Sequence, residues 1–197
     1  MNILIDKLPN TIDVRGISYK INTDFRASIL FELLMQDREV SEEQKIIQAL
    51  QLYYKDIPDD IEGAIEGILT FYSLGKEKKK GKTGKGNKQK QIYSFEHDAN
   101  FIYSAFLSQY GIDLNDINYL HWWKFRALFN GLNEDNEIVK IMKYRAMDLS
   151  KIEDKKQKAY YKKMQEYYKI PISAEEEEKL DKITQALLNG TFKKELL

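Results

Sequence analysis

The sequence predicts a mostly α fold: a small N-terminal β-hairpin or ribbon, then helices, then a second helical bundle beyond a flexible linker. Three observations lead there. Apolar residues recur at helical spacing, between capping residues, over most of the chain. The apolar runs "NILI" and "ISYKI" flank "KLPNTIDVRG", with Pro9, Asn10 and Gly16 as turn formers. The run "KEKKKGKTGKGNKQK" has three glycines and no apolar residue, so it has nothing to bury.

A two-stranded hairpin is marginal alone in water, so the β element needs cover from a helix or from another chain. In "NTDFRASILFELLMQD", Thr23 or Asp24 is the N-cap, and Phe25, Ile29 and Phe31 to Met35 are the apolar positions. "SEEQKIIQALQLYY" places Ser41 and Gln44 at capping-box spacing. "PDDIEGAIEGILTFYSLG" begins near Pro58 and ends at Gly75, with Ile61, Ile65, Ile68, Leu69 and Tyr72 on one face.

The lysine-rich run marks a boundary, giving residues 1–75, a linker at 76–91 and a C-terminal module at 92–197. Beyond it, "FEHDANFIYSAFLSQYG" puts Phe101, Ile102, Ala105 and Phe106 on one stripe and stops at Gly111. "NDINYLHWWKFRALFNG" ends at Gly131, and "EDNEIVKIMKYRAM" and "DKKQKAYYKKMQEYYK" are the next two helices. A last helix, "SAEEEEKLDKITQALLNG", is capped by Ser173, boxed by Glu176 and stopped by Gly190.

Composition limits function. The 197 residues are 43% apolar, with 13 tyrosines, nine phenylalanines and two tryptophans, a supply suited to a core or an interface. Net charge is zero, but residues 76–90 hold eight lysines and one glutamate, which leaves −7 on the remainder. Whole-surface nucleic-acid binding does not fit that balance. The linker lysines, among them Lys78, Lys79, Lys80, Lys82, Lys85 and Lys88, allow three readings: a solvated tether, a contact with an acidic partner, or weak, salt-sensitive contact with nucleic acid. No aromatic is interleaved there to stack on bases.

Without cysteine the chain has no disulfide or thiolate site, which fits a reducing cytoplasm. "MNILIDKLPN" does not read as a signal peptide, because Asp6 and Lys7 end its apolar run. No apolar run approaches the ~20 residues that span a bilayer. His97 and His121 lack metal-ligand spacing, and "GKTGKGNK" lacks the glycine spacing and the preceding strand of a phosphate loop. The acids at 59–60 and 175–178 stand at helix starts, where they complement the dipole. The expectation is a non-enzymatic protein without metal or cofactor.

The aromatic stretch "YLHWWKFRALF" draws attention. Wound at 100° per residue, Trp122, Phe125, Leu128, Phe129 and Leu132 share a broad arc that includes His121. Trp123, Leu120 and Ala127 form a second arc, nearly opposite. A helix apolar on two faces is one sandwiched between neighbours. The alternative is that one arc, with Tyr119 and Arg126, grips a partner protein. Lys124 and Arg126 point apart, which disfavours base stacking. "AYYKKMQEYY" repeats the choice between core and partner contact, with Tyr160, Tyr161, Tyr167 and Tyr168 in a stripe with Met164.

"LPNTIDVRGISYKINTDFRASILFELL", "YGIDLNDINYLHWWKFRALFNGL", "YRAMDLSKI" and "YKKMQEYYKIP" resemble a family of proteins of long-tailed phages and prophages of Gram-positive bacteria. Its members are encoded between the major tail protein and the tape measure protein, and the resemblance runs from Leu8 to Pro171. It implies a tail assembly chaperone that holds the tape measure protein, helps recruit tail tube protein, works in the host bacterial cytoplasm and is absent from the finished virion. It also implies two parts that a ribosomal frameshift can join. Independently of the resemblance, exposed edges of the N-terminal β element allow chains to pair into a homo-oligomer. The rival readings are a nucleic-acid-binding phage accessory protein and a structural tail component of the virion.

Overall fold

The computed structural model describes residues 2–75 and 91–171. Among these, β1 (Thr11–Val14) and β2 (Ile17–Lys20) precede α1 (Phe25–Gln36), α2 (Glu42–Tyr53) and α3 (Ile61–Tyr72). After residues 76–90 come α4 (Ala99–Tyr110), α5 (Trp122–Asn130), α6 (Glu137–Ala146) and α7 (Lys155–Tyr167), with a short 3-10 turn at Leu149–Lys151. The fold is mostly helical with a two-stranded antiparallel hairpin, as the sequence predicts. The chain forms two compact units, Met1–Lys143 and Tyr144–Leu197.

The hairpin uses "TIDV" and "ISYK", not "NILI". Residues 2–6 instead curl into a turn: the Asn2 N–H donates to Asp6 Oδ2 at 2.6 Å and the Leu4 N–H to Asn2 Oδ1 at 3.0 Å. Short polar side chains that satisfy nearby amides compete with a strand ladder in this way. Ile3, Leu4 and Ile5 are left exposed. The two strands meet at Arg15 and Gly16, both with positive φ, as a two-residue primed turn needs.

β1 packs its inward side chains, Ile12 and Val14, onto α3. Close approach is possible because α3 presents Gly63 and Gly67 there. A Cβ on Gly67 would overlap Ile12 Cγ2, and one on Gly63 would lie 3.1 Å from Val14 Cγ1. This docking rotates the buried face of α3 away from the one expected. Ala64, Ile68 and Phe71 are buried, whereas Ile61 and Leu69 are exposed. α3 ends at Tyr72 with Ser73 as its C-cap, and Gly75, at φ 69°, donates its N–H back to Thr70 O at 2.8 Å.

The caps follow the sequence closely. Asp24 caps α1, Ser41 and Gln44 form both bonds of a capping box on α2, and Gly111 closes α4 in the left-handed region.

The expected division at 76–91 does not divide the core. Phe25 of α1 stacks on Phe125 of α5 with centroids 5.0 Å apart, and Phe125 stacks on Phe106 of α4 at 4.9 Å. Ile12, Phe71, Ile102 and Trp122 belong to the same buried cluster. Composition marks a run with no apolar residue. It does not mark where the core stops, because segments on both sides of a polar run can fold against each other. The linker at 76–90 and the expected helix at 173–190 lie outside the described residues.

Candidate functional site

The chain reaches α5 by a short antiparallel bridge between Asp24 and His121. The Phe25 N–H donates to Leu120 O at 2.9 Å, and the Trp122 N–H to Thr23 O at 2.8 Å. Asp24 serves two segments: Oδ1 accepts from the Arg26 N–H at 3.0 Å, and Oδ2 from the Leu120 N–H at 3.2 Å. Arg26 Nη2 donates to the Leu114 and Ile117 carbonyls, each at 2.8 Å, and fixes the incoming loop.

This loop explains why α5 begins later than helical winding suggests. His121 is not on the helical arc of Trp122; it is the N-cap. Its Nδ1 accepts from the Trp123 N–H at 3.0 Å, so Nε2 carries the proton and donates to Pro9 O at 3.0 Å. Burial, with Lys124 nearby, holds its pKa below the ordinary 6.5, against the opposing effect of the Pro9 bond.

The two tryptophans close another helix. Trp122 Nε1 donates to Tyr72 O at 3.0 Å and Trp123 Nε1 to Phe71 O at 2.9 Å. These carbonyls belong to the last turn of α3, where helical partners run out. Trp122, Phe125 and Phe129 are buried, so of the two readings the sequence left open they take the core one. Trp123 is half-buried, while Leu120 lies outside the helix and Ala127 is exposed, so the second arc is not sandwiched. Arg126 is half-buried, donates to Tyr93 Oη at 2.7 Å and lies over the Trp122 ring. Beside it the Tyr72 hydroxyl bonds Glu32, whose pKa is raised by burial. Tyr119 keeps an exposed ring, with its hydroxyl 2.7 Å from Thr23 Oγ1.

The second aromatic group lies within Tyr144–Leu197. Tyr160, Tyr161 and Tyr168 gather round Tyr144, with centroids at 6.3, 6.2 and 5.9 Å. Arg145 Nε donates to Tyr168 O at 2.6 Å, and Gln165 Nε2 donates to the Tyr144 and Met147 carbonyls at 2.8 Å each. These bonds fix α7 beside the end of α6. Yet α7 has no buried residue: Tyr160 is 49% and Tyr167 76% exposed. Sequence reasoning missed Tyr144, whose pairing with Tyr160 across 16 positions no helical period announces. It placed Tyr167 in the stripe but not among the contact candidates, although seven residues from Tyr160 is two helical turns.

The linker lysines Lys78, Lys79, Lys80, Lys82, Lys85 and Lys88 lie outside the described residues. Among the described residues no group of three or more histidines and carboxylates could hold a metal ion, and no helix is long and apolar enough to cross a membrane. The family model described as Bacteriophage Gp15 protein matches residues 4–170. No curated protein and no solved structure matches the chain.

Proposed function

Because the chain belongs to the Bacteriophage Gp15 protein family and so is a phage protein, we propose that it is a non-enzymatic tail assembly chaperone. In this reading it binds the tape measure protein, helps recruit tail tube subunits in the host cytoplasm, and leaves before the virion is complete. The carrying observation is α7, a thirteen-residue helix with ordered tyrosines and no buried residue. Tyrosine supplies large contact area at small entropic cost, and such residues anchor protein interfaces. An assembly factor needs a surface of this kind and reversible contacts.

The test is co-expression with the tape measure protein encoded by the same phage. The expected result is a soluble tape measure protein that co-purifies with this chain. An equally soluble tape measure protein in its absence overturns the proposal, as does finding this chain in purified virions by mass spectrometry.

A further inference from the structure

α7 carries five lysines and one glutamate. At 100° per residue its aromatic side chains occupy one arc and its lysines the other. The two arcs meet along a row with spacings of four, three and four residues: Lys156, Tyr160, Lys163 and Tyr167. All four are exposed, and among the described residues no carboxylate pairs with Lys156 or Lys163. The tyrosines are held before any partner arrives, Tyr160 against Tyr161 at 5.5 Å and Tyr167 against Tyr168 at 4.8 Å. Pre-ordered side chains lower the entropic cost of binding.

We propose that the Lys156–Tyr160–Lys163–Tyr167 row is a docking ridge for an acidic amphipathic helix of another protein. The inference rests on the chaperone reading and adds the chemistry of the contact. The 4-3-4 spacing is the one by which one helix ridge meets the groove of another. Tyr160 and Tyr167 stand ~10 Å apart along the axis, two turns of a facing helix. Successive bases rise only ~3.4 Å, so the two rings do not match a stacked strand. Lys156 and Lys163 attract carboxylates, and they repel the same face of a second copy.

The experiment uses the full chain and a fluorescent helical peptide of glutamate and leucine at heptad positions, with a lysine-for-glutamate peptide as control. Anisotropy should rise with the acidic peptide alone and weaken steeply between about 0.1 M and about 1 M salt, as the screening length falls. Lys156→Glu with Lys163→Glu should weaken binding by about tenfold or more, and Tyr160→Ala with Tyr167→Ala by a similar factor. Lys55→Glu, an exposed charge outside α7, should not. These side chains are exposed, and circular dichroism checks that each variant folds. Equal binding of both peptides, no binding, or double variants without effect overturns the proposal. So does binding that appears only after removal of residues 172–197, which would make this chain's own segment the occupant. An acidic peptide that binds while the tape measure protein stays insoluble would sink the chaperone reading and leave the ridge standing; the reverse result would sink the ridge alone.

Discussion

Replacing the two adjacent tryptophans separately tests the account of α5 most sharply. Trp122 is fully buried, stacks on Tyr72 at 5.3 Å and on Phe125 at 5.7 Å, and satisfies the Tyr72 carbonyl. Truncating a buried aromatic to alanine costs about 3–5 kcal/mol, and a carbonyl left without a donor adds about 1 kcal/mol or more. Trp122→Ala should therefore cost about 5 kcal/mol, a large part of the ~5–15 kcal/mol that holds a domain together. Trp123 is half-buried and also makes one hydrogen bond, to Phe71 O. Losing that bond, worth about 1 kcal/mol, and roughly half a side chain's burial gives about 2 kcal/mol for Trp123→Ala. Urea unfolding should be followed by far-UV circular dichroism, since each substitution removes one of the two tryptophan fluorophores. Equal losses for the two variants, or a Trp122→Ala loss under about 1 kcal/mol, would refute the division between a core indole and a helix-closing one.

Two further outcomes are expected. Gly67→Ala gains about 1 kcal/mol of helix propensity but drives Cβ into Ile12 Cγ2, an overpacking that costs about 1–3 kcal/mol. The net should be a Tm lower by a few degrees, and a higher Tm would show that β1 does not rest on α3. His121 has its folded pKa depressed below 6.5, so its contribution to stability is complete above about pH 6.5 and is lost as pH falls through the folded value. Asn in its place keeps a capping acceptor without titrating. Between pH 7 and pH 5 His121→Asn should show a flatter decline in stability than the parent chain, and parallel declines would remove His121 as the cause.

Local chemistry was legible in the sequence. Asp24, the Ser41–Gln44 box and Gly111 act where their spacing places them, because a cap depends on residues only three or four positions away. Long-range choices were not. The face of α3 was misjudged because Gly63 and Gly67 determine which side the hairpin approaches, and apolar periodicity ignores glycine. The start of α5 was misjudged because Asp24 and Thr23 hold residues 120–122 in a bridge from nearly a hundred positions away. In the candidate contact group, the tyrosine stripe of α7 was visible as a pattern. Its anchoring by Tyr144, Arg145 and Gln165 was not.

The shared core also changes what the lysine-rich run is for. A run joining two independent modules raises the effective concentration of two partners for each other. Here the segments on either side bury the same phenylalanines, so the run brings two parts of one core together. Without residues 91–143, Phe25 loses the Phe125 ring, Phe71 loses His121 and Trp123, and the carbonyls of Phe71 and Tyr72 lose both indole donors. A chain ending at Gly75 would thus expose a contiguous aromatic face beside an unclosed helix end. It should self-associate when expressed alone and become soluble when residues 91–197 are co-expressed as a separate chain. Size-exclusion chromatography with co-purification reads both results. A monomeric fragment 1–75 with a cooperative unfolding transition would refute the single-core account and restore the two-module organisation read from composition.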